Sequence, residues 1–406
     1  MKYQLTDFIP TTKKELEIRG WDEVDVVLFS GDAYVDHPSF GAAVIGRVIE
    51  SEGWRVAIVP QPDWRGDHRD FTKMGRPRRF FAISAGCMDS MVNHYTANKR
   101  LRSNDAYTPD GKAGMRPDRT TITYAKIIKQ LYPDVPLVIG GIEASLRRFS
   151  HYDYWDNKVR RSLLLDAKAD LLLYGMGEYS ILQVAEKLKS GLNANEIRGV
   201  RGTCWRTGKE SELPKNYIDI NGKEQSVIYL PSFEQVSKNT DESKIEFAKS
   251  YKLQEENTDA ISATILIEQS ESRFVVQEPP SLPLSTKDFD EVMELPFTRK
   301  WHPMYDKKNS QGKSGIPALS EVEFSLVSNR GCFGACSFCA ITFHQGRRIQ
   351  TRSHESLIKE AKQLTQKMVD KNTKQKVSFV WFGTSMPKAY IKHNYFAENA
   401  ENQVLS

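Results

Sequence analysis

Short continuous apolar runs alternate with amphipathic stretches between residues 25 and 205. Residues 25–29 (DVVLF), 54–59 (WRVAIV), 80–84 (FFAIS), 136–139 (PLVI) and 169–174 (ADLLLY) have the length and continuity of strands buried on both faces. Between them, residues 40–53 (FGAAVIGRVIESEG), 121–131 (TITYAKIIKQL) and 179–188 (YSILQVAEKL) carry apolar residues at helical spacing. Strands that alternate with helices predict a parallel sheet covered on both sides, an α/β domain of flavodoxin or Rossmann type spanning residues 1–205.

Glycines follow the strands at Gly31, Gly86, Gly140-Gly141 and Gly175, along the edge where doubly wound sheets bind ligands. Polar and aromatic residues crowd the same edge: Asp36-His37, Asp89-Ser90, Asn93-His94-Tyr95 and the run from His151 through Tyr152 to Trp155. Gly140 and Gly141 are therefore candidate ligand contacts, set against the alternative of an ordinary solvated rim. Residues 206–316 are weaker in pattern, with a turn at Asn221-Gly222, a strand-like 226–230 and a charged helix over 242–256, and read as a connector. From residue 317, Val322, Phe324 and Leu326 alternate with Glu321, Glu323 and Ser325, which predicts a strand. Ser353 then caps a helix with Leu357, Ala361, Leu364 and Met368 on one face, and 377–382 (VSFVWF) reads as the next strand. Strand, loop, helix and strand open a (β/α) barrel over 317–406.

A net charge of +5 over 406 residues, with scattered lysines, points to no membrane or polyanion partner, and no basic–aromatic stripe supports a nucleic acid. The opening residues lack a signal-peptide core and no apolar run approaches a membrane span, so a cytoplasmic location is expected. The chemistry lies in the cysteines. Cys332, Cys336 and Cys339 sit within eight residues, spaced C-x3-C-x2-C, while Cys87 and Cys204 stand alone. Three local thiolates suit a [4Fe–4S] cluster with one iron free of protein ligands. That iron can chelate S-adenosylmethionine (SAM), and an external one-electron reductant then drives C–S cleavage to a 5′-deoxyadenosyl radical. Phe338 is placed to pack on the adenine, and Gly331 and Gly334 let the backbone fold round the sulfurs. The competing reading is a zinc site with His344 as fourth ligand, in a nucleic-acid-binding module. A third is a ligand-binding α/β domain whose catalytic half has decayed.

The phrases SFGAAVIGRVIESEGWRVAIVPQPDW (39–64), DSMVNHYTANKR (89–100), VIGGIEASLRRFSHYDYWDNKVRRS (138–162), LLLYGMGE (171–178) and SLVSNRGCFGACSFCAITFHQGR (325–347) resemble YgiQ-type radical SAM proteins, as does nearly everything up to about residue 370. The resemblance implies an N-terminal domain similar to cobalamin-binding domains, then a radical SAM partial barrel, acting on an undefined substrate. Two departures stand out. Cobalamin domains with a histidine lower ligand carry Asp-x-His-x-x-Gly after the first strand. Here Asp36 and His37 are adjacent and Gly41 falls one residue late, which argues against cobalamin. In the family the second barrel strand enters a Gly-Gly-Pro-Thr loop, whereas this chain has Phe382-Gly383-Thr384-Ser385-Met386-Pro387 and a tail unlike the family. A barrel cut short, as a frameshifted or fragmentary gene would give, and absent turnover are the expectations.

Overall fold

Each apolar run buries both of its faces, and that requirement builds a sheet with helices on either side. The structure is a computed structural model describing residues 4–307, 315–334, 336 and 339–370. Its strands are β1 (Val26–Ser30), β2 (Val56–Pro60), β3 (Phe80–Ser84), β4 (Leu137–Gly140) and β5 (Leu171–Leu173). They are followed by β6 (Thr203–Thr207), β7 (Ile228–Tyr229), β8 (Leu266–Ser270) and β9 (Arg273–Gln277). All nine join one sheet, in the order β7-β8-β9-β6-β5-β4-β3-β1-β2. The first five run parallel, β1 pairing with both β2 and β3, then β3 with β4 and β4 with β5. Their order, 2-1-3-4-5, is the flavodoxin-like one, with its switch point between β1 and β3.

Alternate residues of the strands feed two cores. Val26, Leu28, Val56 and Ile58 face α1 (Gly41–Ser51) and α4 (Glu178–Lys189), which supply Val44, Val48, Ile181 and Val184. Val27, Phe29, Ala57 and Val59 face α2 (Thr120–Leu131), which supplies Tyr124, Ala125 and Ile128. At the switch point the loops after β1 and β3 touch: a Cβ on Gly31 would lie 2.1 Å from the Ala85 carbonyl oxygen, so only glycine fits. Arg116, buried there, bridges Asp32 at 2.6 Å and Asp105 at 2.9 Å. The crevice in which such sheets commonly hold a ligand is thus bordered by a buried ion-pair network of the protein's own side chains.

The stretch read as a connector adds strands to the sheet. β6, β9 and β8 extend it antiparallel, and β7 pairs parallel with β8. The charged segment forms α5 (Asp241–Glu256). The strand expected at 321–327 is corrected: Ala318–Val322 is a short helix, with Ala318 and Leu319 buried. Alternation over so few residues fits either geometry, and the chain turns as a helix there. Asn329–Arg330 pairs instead with Gln350–Thr351, closing a loop around the cysteines. That loop contains α6 (Ile341–Gln345), and α7 (His354–Asp370) follows it. As expected, Ser353 caps α7, accepting from the Ser356 amide at 3.1 Å. The strand predicted at 377–382 lies outside the described residues. Among them no helix is long and apolar enough to cross a membrane.

Glu268 of β8 is fully buried and accepts from the Ser150 amide at 3.0 Å with each oxygen. Burial raises its carboxyl to about 8 from 4.5. Between those values the folded chain holds a proton that the unfolded chain releases, so stability falls as pH rises from about 5 to 8. Glu268→Gln is expected to flatten that slope and to stabilise the chain at pH 8 by on the order of a few kcal/mol. Urea unfolding at a series of pH values measures it.

Candidate functional site

The cysteine loop is held by its ends. Gly331 has φ +90°, and a Cβ there would meet the Arg348 carbonyl oxygen at 2.1 Å, so the backbone passes at a distance that excludes any side chain. The Gly331 amide donates to Gln345 Oε1 at 3.2 Å and the Cys332 amide to the Gly346 carbonyl at 3.0 Å. A Cβ on Gly334 would lie 3.3 Å from Cys332 Sγ and 3.7 Å from Cys336 Sγ, so these two sulfurs flank one glycine. Cys332 Sγ accepts from the Gly334 amide at 3.3 Å, and the Cys339 amide donates to the Cys336 carbonyl at 2.9 Å. Cys332 and Cys339 are partly exposed and Cys336 is exposed. Among the described residues no three His, Cys, Asp or Glu side chains converge closely enough to hold a metal ion. The donor set itself, soft thiolates on a glycine-rich loop, is of the kind that iron–sulfur clusters take. Phe338 lies outside the described residues. Cys204 is buried in the sheet, and Cys87 lies on the loop after β3.

The loop docks on the carboxyl edge of the sheet. Arg330, two residues before Cys332, forms a buried ion pair with Glu178, the first residue of α4. His344 of α6 reaches Ser145 of α3 (Gly141–Leu146), with Nδ1 2.9 Å from the hydroxyl. Ser145 Oγ also lies 3.0 Å from the Gly141 carbonyl and accepts from the Gly175 amide at 3.0 Å. One hydroxyl proton serves all three contacts only if Ser145 donates to Gly141 and His344 donates its Nδ1 proton to Ser145. His344 Nε2 then carries the lone pair. Burial lowers His344 to about 4, so the ring is neutral at pH 7. This docking gives His344 a partner on the sheet, and among the described residues it joins no cysteine in a metal-binding group.

Between the loop and the sheet edge lies a cleft of about 540 Å³, open to solvent. The loop after β5, Arg148, the 257–258 and 280–284 segments, and α6 line it. Gly140 and Gly141 are near rather than in it: Gly140 ends β4 and Gly141 opens α3. The expected polar edge is mostly bonded to other side chains of the protein. Asp89 caps the helix Ser90–His94 and pairs with Arg147 at 2.7 Å. Asn93 donates to Asp105, and His94 and Tyr95 share Asp118. His151–Asp153 pairs with Lys158–Arg160 as a hairpin, with Tyr152 exposed and Asp153 held by Arg119 and Arg160. Asp36 is buried against Arg47 at 2.6 Å. His37 accepts from the Ser39 amide and has Nε2 3.0 Å from Arg299, so both ring nitrogens are engaged within the protein. Burial, then the Arg299 charge, holds His37 well below its ordinary value.

Sequence reading passed over Arg148 and Glu178, which both line the cleft. A signal was present for the first. Arg147 has Glu143 four residues earlier on its helix, whereas Arg148 has Ala144 there and no acid within a turn.

The family described as "Radical SAM N-terminal" matches residues 8–325. A UPF0313 protein of Clostridium botulinum (strain ATCC 19397 / Type A) is 51% identical over 359 residues, covering 88% of this chain and 52% of that protein. One from Bacteroides thetaiotaomicron is 50% identical over 375 residues, covering 90% and 58% respectively. The chain thus spans somewhat more than half the length of these curated relatives. Among solved structures, a radical S-adenosylmethionine methyltransferase, TsrM, from Kitasatospora setae aligns over 85% of this chain and 46% of that one, at 14% identity and a TM-score of 0.41. A likeness that loose carries nothing across to this chain. The match over residues 8–325 does, and the chain belongs to the radical SAM N-terminal family, in its YgiQ-type, UPF0313 branch.

Proposed function

We propose that this chain is the sheet domain and cluster loop of a radical SAM enzyme, with Cys332, Cys336 and Cys339 as the three ligands of a [4Fe–4S] cluster. When bound, such a cluster supplies the electron that cleaves SAM to a 5′-deoxyadenosyl radical. The observation that carries this reading is the cysteine loop itself: three thiols at C-x3-C-x2-C spacing, two of their sulfurs already flanking Gly334, in a chain of this family.

The chain's own residues do the positioning. Arg330 and Glu178 fix the loop against the sheet, Gln345 and Gly346 hold its backbone, and the cleft beside it offers room for a substrate. Phe338 remains the proposed adenine contact. Electrons come from an external reductant, and cobalamin has no part in the scheme.

Anaerobic reconstitution with iron and sulfide, followed by SAM and dithionite, tests the reading. A brown protein with about four irons per chain supports the cluster, and 5′-deoxyadenosine as product supports the radical chemistry and overturns the absent turnover expected from the shortened barrel. A colourless protein with stoichiometric zinc overturns the reading, and a cluster without deoxyadenosine removes the catalytic half. Cys332→Ala, Cys336→Ala and Cys339→Ala are each expected to lose the cluster, while Cys87→Ala and Cys204→Ala keep full iron content. Gly331→Ala is expected to lose iron as well, because its Cβ has no room beside Arg348. Gly346→Ala, with nothing within 4 Å of its Cβ but a backbone that favours glycine, is expected to retain iron at a cost of about 1–3 kcal/mol in stability.

A further inference from the structure

Arg148 is 3% exposed, yet no carboxylate pairs with it among the described residues. Its Nε donates to Gln277 Oε1 and its Nη1 to the Ser145 carbonyl, both neutral acceptors. The guanidinium carbon lies 4.9 Å from the Tyr174 ring centre and 5.7 Å from that of Phe343. These rings stabilise a cation without neutralising it. Nη2 has no protein partner among the described residues. Its neighbour Arg147, by contrast, is matched by Asp89 and Glu143. A buried guanidinium with a free N–H and no counter-ion is costly to maintain and is normally paired.

A second orphan lines the same cleft. Glu178 Oε1 pairs with Arg330, but Oε2 is buried with no hydrogen-bond partner among the described residues. His344 adds a neutral ring whose Nε2 lone pair is free by the proton count above. The cleft therefore holds one unmatched donor cation and two unmatched acceptors, between the rings of Tyr174 and Phe343.

We propose that this cleft binds a small anionic ligand, a carboxylate or phosphate monoester, with the anion seated on Arg148 Nη2 and a hydrogen-bond donor of the ligand directed to Glu178 Oε2. The ligand's charge completes Arg148, and its donor group completes Glu178. The identification of this ligand as the enzyme's substrate rests on the radical SAM reading; the binding site does not. Two anions reach such a site, the substrate's own and the carboxylate of SAM, and they are separable because binding can be measured without a cluster.

The full chain, purified without iron, is titrated with inorganic phosphate, acetate or SAM at matched ionic strength, and hydrogen exchange is followed by mass spectrometry. Phosphate or acetate is expected to slow exchange in residues 174–179 and 342–346. Arg148→Met, checked for folding by circular dichroism, is expected to weaken that binding about 10- to 100-fold, as for a lost hydrogen bond to a charged group. If Arg148→Met does not fold, the wild-type exchange pattern decides alone. Protection by neither anion overturns the proposal, as does equal protection in Arg148→Met. Protection by SAM alone assigns the cleft to the cofactor and overturns it too. Failure to form deoxyadenosine in the reconstituted enzyme, with anion protection intact, leaves this site standing and removes only the radical chemistry.

Discussion

The buried ion pair between Glu178 and Arg330 sets where everything chemical in this chain sits. Glu178 begins α4, directly after the β5 loop, and Arg330 precedes the first cluster cysteine by two residues. Two charges removed from water gain little net stability, because their desolvation offsets most of their attraction. Breaking the pair is a different matter, since it strands a charge in the interior. The pair acts as a registration device: the loop docks in the one position that lets both groups stay matched. The contacts of His344 with Ser145 and of Gln345 with Gly331 then follow within the same docked arrangement.

The parallel half of the sheet was legible because its strands are continuous apolar runs, a pattern that only two-sided burial demands. Residues 80–84 were placed to the residue, and the other four to within one or two positions. The 266–277 hairpin was not recognised. Its turn is made at Glu271, with φ +54°, where the usual Asn-Gly or Asp-Gly signal is absent. The strand expected over 321–327 failed for a related reason. Three alternations are weak evidence, and the burial of neighbours Ala318 and Leu319 outweighs them.

At the site, the cysteines announce themselves through local spacing, since cluster ligation is a property of one loop. The cleft does not, because its wall is drawn from segments far apart in the chain. The polar edge residues looked like a ligand site from their composition, yet most find partners elsewhere in the protein, as Asp89 does with Arg147 and Tyr95 with Asp118. Composition locates polar groups, and only three-dimensional pairing tells which of them are left over.

The span of sequence enclosing Arg148 also bears on how the protein is made. Chains fold largely from the N-terminus as they leave the ribosome. Arg148 emerges with β4 and α3, long before Phe343 is synthesised to lie across it. Through that interval it has Tyr174 to stack on and Gln277 to bond, but not yet Phe343 over it. The docking of α6 adds to its burial by laying Phe343 against it, so this segment docks against a rising desolvation cost. An anion present at that moment would ease the docking, coupling the seating of the cysteine loop's helix to the supply of the molecule the cleft receives.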